Sequence, residues 1–302
     1  VTLEPCCHTK KRTPPCVPAI LESGVAHVVV AMRDPNPKVR GKGVAQLRRA
    51  GLTVTEGVLA SEAAHLNEAY CHWVTTGRPF VILKSAMTLD GKTATSTGDS
   101  KWISGPAARR SVHLLRSQVD AIVVGRGTVE KDNPQLTAMP EEFGASRQLV
   151  HQPLRVVLDS RLRLSSASRV CVPGIGALVV AVTDRAPVAT VRAFEARSIR
   201  ILRLPAIGGR VSLRACLRAL GRMGVTSVLV EGGSAVNAAL FSAKLVNRVM
   251  LFISPRLLGG DDAKGLIGGP GPSLIAQAFS LTQLSISQVE NDLLIEGIPN
   301  YS

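Results

Sequence analysis

Aromatic residues and long apolar runs are both scarce in this 302-residue chain. Phe, Trp and Tyr make up 3% of it, so side chains on which single-stranded bases could stack are few. No apolar run approaches the ~18 residues of a membrane span, and the first stretch is too polar for a signal peptide. We therefore expect neither a membrane span nor a signal peptide.

The six cysteines are too few and too unevenly spaced for a disulfide scaffold. They favour a reducing compartment, and we expect the cytoplasm. The first residue is Val1 rather than Met, and the chain opens on apparent strand residues. The sequence therefore predicts that an N-terminal part of a longer protein is missing.

Basic residues outnumber acidic ones by 36 to 22, which gives a formal net charge of +14. Such a charge suits nucleic acid or phosphorylated small molecules. The Lys and Arg residues are spread through helices and loops rather than massed in one block. We therefore expect a phosphorylated small molecule and no nucleic acid.

Apolar strands alternate with amphipathic helices, which predicts an α/β fold with a mostly parallel sheet. Arg78-Pro79 marks a break, so we predict one domain over residues 1–77 and a second over 78–302. SEAAHLNEAYCHWVTTG predicts a single helix with Ser61 as its N-cap. The last segments predict antiparallel strands.

Two glycine turns follow predicted strands of the second domain. SVLV leads into Glu231, two glycines and a helix that begins at Ser234, where free N–H groups can hold a phosphate. GRGT at 125–128 is similar, with Thr128 placed to reach a ligand. An ordinary tight turn explains the first stretch equally well, and neither matches the G-x-G-x-x-G spacing of a Rossmann domain.

Lys84 interrupts the apolar strand FVILKSAM. A buried ammonium is costly, so it is paired or faces a cleft; an edge strand that points it to water is the alternative. Arg109 and Arg116, seven residues apart, share one helix face. They form either a solvated stripe or a phosphate clamp.

Taken in order, the motifs resemble a known family. FVILKSAMTLDGKTATSTGDSKW, DAIVVGRGTVEKDNPQLT, LRVVLDS, VLVEGGSAVNAALF and SPRLLGG resemble the C-terminal reductase domain of the bacterial bifunctional riboflavin biosynthesis proteins. The resemblance covers most of residues 80–300 and implies a dihydrofolate-reductase-like domain. It implies NADPH-dependent reduction of 5-amino-6-(5-phosphoribosylamino)uracil, a phosphorylated pyrimidine ribosylamine, at its ribosyl group to ribityl. Family precedent also implies a homo-oligomer.

The same resemblance implies roles for individual residues. Lys84 is the implied proton donor to the reacting ribose, and Glu231 the implied anchor of its hydroxyls. Met139 stands where the family commonly has a substrate-binding Arg, which puts that phosphate contact in doubt; Arg147 is a nearby substitute. The positions that match cofactor contacts are Ala86, Trp102, Thr128, Asp132, Ser160, Gly233 and Ser234. The positions that match substrate contacts are Ser100, Arg116, Leu136 and Glu231.

LEPCCHTKKRTPPC resembles the second half of the cytidine-deaminase-like zinc motif in the first domain of the same family. The resemblance implies that Cys6 and Cys16 are zinc ligands, with an apparent insertion at Lys10-Lys11. The third ligand and the proton-shuttling Glu would come from a His-Ala-Glu motif, which the 302 residues lack. We therefore expect a truncated α/β/α zinc domain with an incomplete site. Deamination of the preceding diaminopyrimidine would belong to the full-length parent, and Glu4 is expected to be structural.

Two alternatives stay open at this point. One is a zinc-stabilised basic module that contacts nucleic acid through its Arg-rich helices. The other is a reductase fold without activity, because Met139 or the truncation spoils it.

Overall fold

The computed structural model describes residues 1–9, 11, 13–146 and 150–301, so Lys10 and Arg147 lie outside the described residues. It divides into two compact units, Val1–Phe80 and Val81–Ser302, a few residues beyond the predicted domain boundary. Within the described part of the chain, no helix has both the length and the apolar character that crossing a membrane requires.

The first unit is built on a short parallel sheet. β1 pairs with β2 in parallel, and Leu3 adds an isolated parallel bridge to Met32. Burial alternates along β1, so Val28 and Val30 face a small core that also holds Val17, Val44 and Leu47. Its elements are α1 (Cys16–Glu22), β1 (His27–Val30), α2 (Lys42–Arg49), β2 (Thr53–Glu56), α3 (Ala60–Leu66) and α4 (Glu68–Thr76).

The single helix predicted over residues 61–77 is two helices, and Ser61 is not its N-cap. Asn67 separates α3 from α4 with φ −103° and ψ 9°, and its side-chain amide donates to the Ala63 carbonyl at 2.8 Å. Asn side chains compete in this way with the helical backbone pattern. The residue before α3 is Leu59, in the left-handed region at φ 54°.

The second unit is a nine-stranded sheet in the order β14-β15-β12-β3-β11-β5-β6-β7-β8, with helices α5 to α9. Its larger strands are β3 (Phe80–Thr88), β5 (Ala121–Gly125), β6 (Leu154–Leu158), β7 (Leu178–Val182), β8 (Arg200–Arg203), β11 (Ser227–Val230), β12 (Arg248–Ser254), β14 (Ser280–Val289) and β15 (Asp292–Asn300). The short strands are β4 (Lys92–Ala94), β9 (Ala206–Ile207), β10 (Arg210–Val211) and β13 (Lys264–Gly265). The helices are α5 (Pro106–Gln118), α6 (Arg126–Asp132), α7 (Val188–Glu195), α8 (Leu213–Arg222) and α9 (Ser234–Ser242).

The sheet is mostly parallel, as predicted. β12 pairs with β3 in parallel, and so do β11 with β5, β5 with β6, β6 with β7 and β7 with β8. β15 pairs antiparallel with both β12 and β14, so the expectation of antiparallel terminal strands is confirmed.

Apolar side chains cover both faces of the sheet. All five residues of β5 are buried: Val123 packs into one core cluster, while Ile122 and Val124 pack into the other. This is why the parallel strands read as continuous apolar runs. Because β11, β5, β6 and β7 run parallel, the polar residues that follow them emerge at the same edge of the sheet, where open parallel sheets bind ligands.

Candidate active site

Arg116 and Glu231 form the best-defined polar contact at this edge. Arg116 lies in α5 and Glu231 directly follows β11. Nε of Arg116 donates to Oε1 of Glu231 at 2.7 Å, and Nη2 donates to Oε2 at 2.7 Å. Their side chains are 14% and 13% exposed, so this two-pronged ion pair is largely shielded from water.

The pair is charged because each partner stabilises the other. Burial by itself raises the pKa of the Glu231 carboxyl, but the charge and hydrogen bonds of Arg116, with a further contribution from Lys84, lower it to about 2. The Glu231 carboxylate likewise outweighs burial and raises the pKa of Arg116. Glu231 is therefore an ionised acceptor fixed in orientation.

Lys84 lies in β3 beside this pair and is half-buried. Burial lowers the pKa of its ammonium; Glu231 opposes this shift and Arg116 adds to it. Nζ lies 5.7 Å from the centroid of the Phe252 ring. The structure thus brings Lys84, Arg116 and Glu231 into one electrostatically coupled cluster.

Arg116 also connects this cluster to the backbone that carries Leu136 and Met139. Its Nη1 donates to the Thr137 carbonyl at 3.1 Å. Nδ1 of His113 accepts from the Met139 N–H at 3.2 Å. His113 was not among the predicted site residues, although its position three residues before Arg116 puts both on one helix face.

Gln152, also missed, fixes the residue between those two contacts. Its side-chain Oε1 accepts from the Ala138 N–H at 3.0 Å, and its Nε2 donates to the Ala138 carbonyl at 2.9 Å. Nothing in the sequence around Gln152 signals this contact. The backbone from Thr137 to Met139 is therefore held by three side chains in series.

The two glycine turns predicted from the sequence meet in space. A Cβ placed on Gly233 would lie 3.9 Å from Oγ1 of Thr128 and touch nothing else within 4 Å. On Gly232, a Cβ would lie 2.8 Å from Val236, so a side chain there would clash. Ser234 then begins α9. The arrangement leaves open space beside Gly233 at the start of α9, which we call the Gly233 cradle.

Ser100, Asp132 and Trp102 lie beside one another. Oγ of Ser100 donates to Oδ1 of Asp132 at 3.3 Å, and Nζ of Lys101 donates to the Asp132 carbonyl at 2.8 Å. Trp102 is 61% exposed, and the guanidinium of Arg109 lies over its ring, 4.6 Å from the centroid. Arg109 therefore belongs with Trp102 rather than in a clamp with Arg116.

The remaining predicted positions differ in what they offer a ligand. Leu136 is 2% exposed with φ 59°, and its side chain belongs to the core, so only its backbone is available for contact. Ala86 is half-buried in β3 opposite Phe252 of β12. Ser160 follows β6, where its Oγ accepts from the Val211 N–H at 3.0 Å. Ser160 thus lies at the edge where β6 ends.

In the first unit, Cys6 and Cys16 lie together. Their Sγ atoms are 3.3 Å apart, and Nζ of Lys11 donates to Sγ of Cys6. Burial raises the pKa of the Cys6 thiol, but the hydrogen bonds from Lys11 and Cys16 together outweigh burial and lower the pKa. Glu4 has the expected structural role, since it accepts backbone N–H groups from Asp34, Gly41 and Val44.

Comparison with known proteins decides the family. Residues 79–295 match the model of the RibD C-terminal domain. The chain is 41% identical to the riboflavin biosynthesis protein RibD of Actinobacillus pleuropneumoniae, over 99% of this chain and 77% of that protein. The chain belongs to the RibD family.

Solved RibD structures agree with this assignment. Acinetobacter baumannii RibD matches with a TM-score of 0.87 at 33% identity, over 99% of this chain and 79% of that one. A Thermotoga maritima protein, described as a diaminohydroxyphosphoribosylaminopyrimidine deaminase/5-amino-6-(5-phosphoribosylamino)uracil reductase, matches with a TM-score of 0.80 at 35% identity, over 99% and 78%. The second unit has the dihydrofolate-reductase-like fold of RibD reductase domains, and a nucleic-acid-binding module is not favoured.

The residues of this RibD chain fit the cofactor that its reductase domain implies. The open cradle at Gly233, the exposed indole of Trp102 and the nine-residue helix α9 suit a nicotinamide dinucleotide. The residues do not fit zinc in the same way, since no group of three or more His, Cys, Asp or Glu side chains converges among the described residues. Two thiols alone do not make a zinc site.

Proposed function

We propose that this chain catalyses the NADPH-dependent reduction of 5-amino-6-(5-phosphoribosylamino)uracil, converting its ribosyl group to ribityl in riboflavin biosynthesis. The observation that supports this most directly is the cluster of Lys84, Arg116 and Glu231 at the ligand-binding edge of a RibD reductase sheet. The cluster places the fixed carboxylate of Glu231 close to the ammonium of Lys84, whose pKa is lowered by burial.

Glu231 anchors the substrate. Its carboxylate stays ionised at neutral pH and is oriented by Arg116, so it accepts hydrogen bonds from ribose hydroxyls without reorganisation. Arg116 is a positioning residue, because both of its outer N–H directions are used by Glu231 and Thr137. A substrate analogue without these hydroxyls would lose its hydrogen bonds to Glu231, whose carboxylate would keep its two hydrogen bonds from Arg116.

Lys84 supplies the proton. Reduction of an opened ribose adds a hydride to its carbonyl carbon and leaves a negative oxygen, which needs a proton donor or a cation. Burial lowers the pKa of Lys84 and so brings it closer to neutral pH, where proton transfer is efficient. NADPH, when bound, supplies the hydride.

We assign the cofactor to the predicted positions Ala86, Trp102, Thr128, Asp132, Ser160, Gly233 and Ser234. Backbone N–H groups at Gly233 and Ser234 would hold phosphate, with the Thr128 hydroxyl beside them. Ser100 and the backbone of Leu136 would contact substrate. Met139 offers no cation to the substrate phosphate, and Arg147, the predicted substitute, lies outside the described residues.

The described residues of the first unit do not supply a complete deaminase site. The T. maritima relative is described as carrying both activities. Cys6 and Cys16 would supply two of the ligands that a zinc deaminase needs, while its third ligand and its general acid are absent from their surroundings in the described chain.

We further propose a cytoplasmic homo-oligomer. All six cysteines are free thiols, as a reducing compartment favours. β14 is an outer strand of the sheet, and it exposes Leu284 and Ile286 to 58% and 66%. An exposed apolar edge strand is a template for pairing with a second copy. Light scattering coupled to size exclusion measures the assembly.

The experiment that tests the proposed activity combines binding and turnover. NADPH should quench Trp102 fluorescence saturably, and addition of the deaminated pyrimidine ribosylamine phosphate should oxidise NADPH with formation of the ribityl product. A protein that binds NADPH but forms no ribityl product would be the inactive reductase fold. A protein that binds DNA with steep salt dependence and ignores NADPH would contradict the proposal.

A further inference from the structure

Residues 256–268, which follow β12 and include β13, form a segment that touches two of the proposed cofactor positions. At its start, Nη1 of Arg256 donates to the Trp102 carbonyl at 2.8 Å. Near its end, the Gly268 N–H donates to the Ser234 carbonyl at 3.0 Å. A Cβ on Gly268 would lie 3.1 Å from Oγ of Ser234, so the segment packs closely against the start of α9. The 256–268 segment therefore connects Trp102 with the Gly233 cradle.

Hydrogen bonds, rather than apolar burial, hold much of this segment in place. Its large apolar side chains Leu257, Leu258 and Ile267 are 77%, 41% and 44% exposed. Apolar side chains stabilise a fold in proportion to the area that they remove from water, so these three contribute little. The position of the 256–268 segment thus depends on its polar contacts.

Asp90, in the turn between β3 and β4, provides a compact set of these contacts. Its Oδ2 accepts from the Gly259 N–H at 2.7 Å, and the Leu258 N–H lies 3.1 Å from Oδ1 and 3.2 Å from Oδ2. The Thr88 hydroxyl donates to Oδ1 at 2.5 Å. Hydrogen bonds from Thr88, Gly259 and Leu258 lower the pKa of Asp90 to about 2. Both of its oxygens are therefore acceptors at neutral pH.

The second half of the segment is held separately. β13 pairs antiparallel with β4, and Oγ1 of Thr93 donates to the Lys264 carbonyl at 3.1 Å. Nδ2 of the buried Asn237, in α9, donates to the Leu266 carbonyl at 3.0 Å. These contacts leave the backbone at 258–259 to Asp90. One carboxylate thus orders the part of the segment that lies between Arg256 and β13.

We propose that Asp90 is a positioning residue for NADPH binding, acting through the 256–268 segment. Its carboxylate fixes the backbone of Leu258 and Gly259, and the ordered segment holds the Trp102 carbonyl and the start of α9. A segment that is ordered before binding loses less conformational entropy when the cofactor binds. The inference rests on the proposed reductase function, and it adds a residue outside the positions assigned to cofactor contact.

The effect should fall on cofactor binding rather than on the chemical step. Glu231 is oriented by Arg116, and neither residue is hydrogen-bonded to the 256–268 segment in the described chain. Loss of the Asp90 contacts should therefore leave the proposed catalytic cluster in place. A purely structural role would instead lower the melting temperature and the active fraction, while the folded protein kept its affinity for NADPH.

The test compares Asp90→Asn with wild type. The variant keeps the shape of the side chain but turns one acceptor oxygen into a donor that faces a backbone N–H. Calorimetry should show a rise of about threefold to tenfold in the dissociation constant for NADPH, as expected for weakened charged hydrogen bonds at an exposed site. Both kcat at saturating NADPH and the KM of the pyrimidine substrate should change by less than about twofold. Amide exchange at residues 258–259 should accelerate.

Glu195→Gln is the matched control, because it removes one negative charge from an exposed position at the end of α7. α7 leads into β8, and four strands, β11, β5, β6 and β7, separate β8 from β3 in the sheet. Glu195→Gln should leave the affinity for NADPH and the amide exchange at 258–259 as in wild type.

Thr93→Val is a second variant for the case that circular dichroism shows Asp90→Asn to be unfolded. It removes the hydroxyl that holds the Lys264 carbonyl and nearly preserves the side-chain shape. It loosens the same segment from its other half, so the dissociation constant for NADPH should rise by about twofold to fivefold at unchanged kcat. Where Asp90→Asn does not fold, unchanged affinity in Thr93→Val would overturn the inference.

Several results with folded Asp90→Asn would also overturn it. These are an unchanged dissociation constant for NADPH, a loss of kcat alone, or an equal rise in the KM of the pyrimidine substrate. A wild-type protein that binds NADPH but makes no ribityl product would contradict the proposed function alone, since the comparison of dissociation constants still decides the role of Asp90. A wild-type protein that does not bind NADPH would contradict both.

Discussion

The guanidinium of Arg116 holds the carboxylate of Glu231 by two hydrogen bonds of 2.7 Å, although the two residues are 115 positions apart in the chain. α5 brings the first to the sheet edge and the end of β11 brings the second. The contact joins the proposed substrate anchor to a helix, and through Thr137 to the neighbouring loop.

Glu231→Gln should destabilise the protein by about 3 kcal/mol, because it leaves the charge of Arg116 buried without a partner. Urea unfolding measures the change. Glu290→Gln is the control: its pair with Arg110 has side chains 56% and 43% exposed, so less than about 1 kcal/mol should be lost. Equal losses in the two variants would contradict a buried charge pair.

The same pair predicts an acid-sensitive stability. The folded pKa of Glu231 is about 2 against an ordinary value of 4.5, so its stabilisation is complete above 4.5 and is lost as the pH falls towards 2. The free energy of unfolding should drop across that range, and part of the drop should be missing in Glu231→Gln. Identical pH slopes in both proteins would argue against the lowered pKa.

Lys84→Met should lower kcat by a factor of about 10² to 10⁴, the usual contribution of a positioned acid. NADPH binding should change by less than about twofold, since the proton is needed only in the transition state. Stopped-flow turnover and fluorescence titration separate the two. Lys38→Met, at an exposed lysine of the first unit, is the control and should change neither kcat nor NADPH binding.

His113 should titrate below its ordinary pKa of 6.5, because burial and then the charge of Arg116 disfavour its protonated form. Its stabilising effect is therefore present above pH 6.5 and lost as the pH falls through the folded pKa, when Nδ1 can no longer accept from Met139. Ring-proton NMR measures the titration, with His113→Gln to assign the signal. A midpoint above 6.5 would refute this account.

Gln152→Leu should raise the KM for the pyrimidine substrate while leaving NADPH binding unaltered. It removes both hydrogen bonds to Ala138, which fix the backbone next to Leu136, at a cost of about 2 kcal/mol in stability. Steady-state kinetics and urea unfolding measure the two effects. Gln46→Leu, at an exposed position of α2, should leave both quantities near wild type.

Much of the architecture follows from local patterns. The apolar runs of β5 and β7 predict strands buried on both faces, and every residue of both strands is buried. Glycines after β11 predict an open turn, and Gly233 has the space that a ligand needs. The ordered motifs predict the reductase family. These features depend on apolar periodicity and on backbone freedom. Both are set by residues that are adjacent in the sequence, so they can be predicted from it.

Other features were decided only by the tertiary structure. The predicted helix over 61–77 breaks at Asn67. The side-chain amide of Asn67 donates a hydrogen bond to the Ala63 carbonyl, and this contact outweighs the helical periodicity of the sequence. Arg109, paired in sequence spacing with Arg116, lies on Trp102 instead. The tethering of Ala138 by Gln152 could not be predicted.

The sequence by itself determined which residues are apolar, where the strands and glycine turns fall, and which family the chain belongs to. The tertiary structure decided what the polar side chains contact: Arg116 contacts Glu231, and Gln152 contacts the backbone of Ala138. The physical reason is that apolar burial follows the local period of a strand or helix, whereas a side-chain hydrogen bond needs a partner that folding delivers from far along the chain.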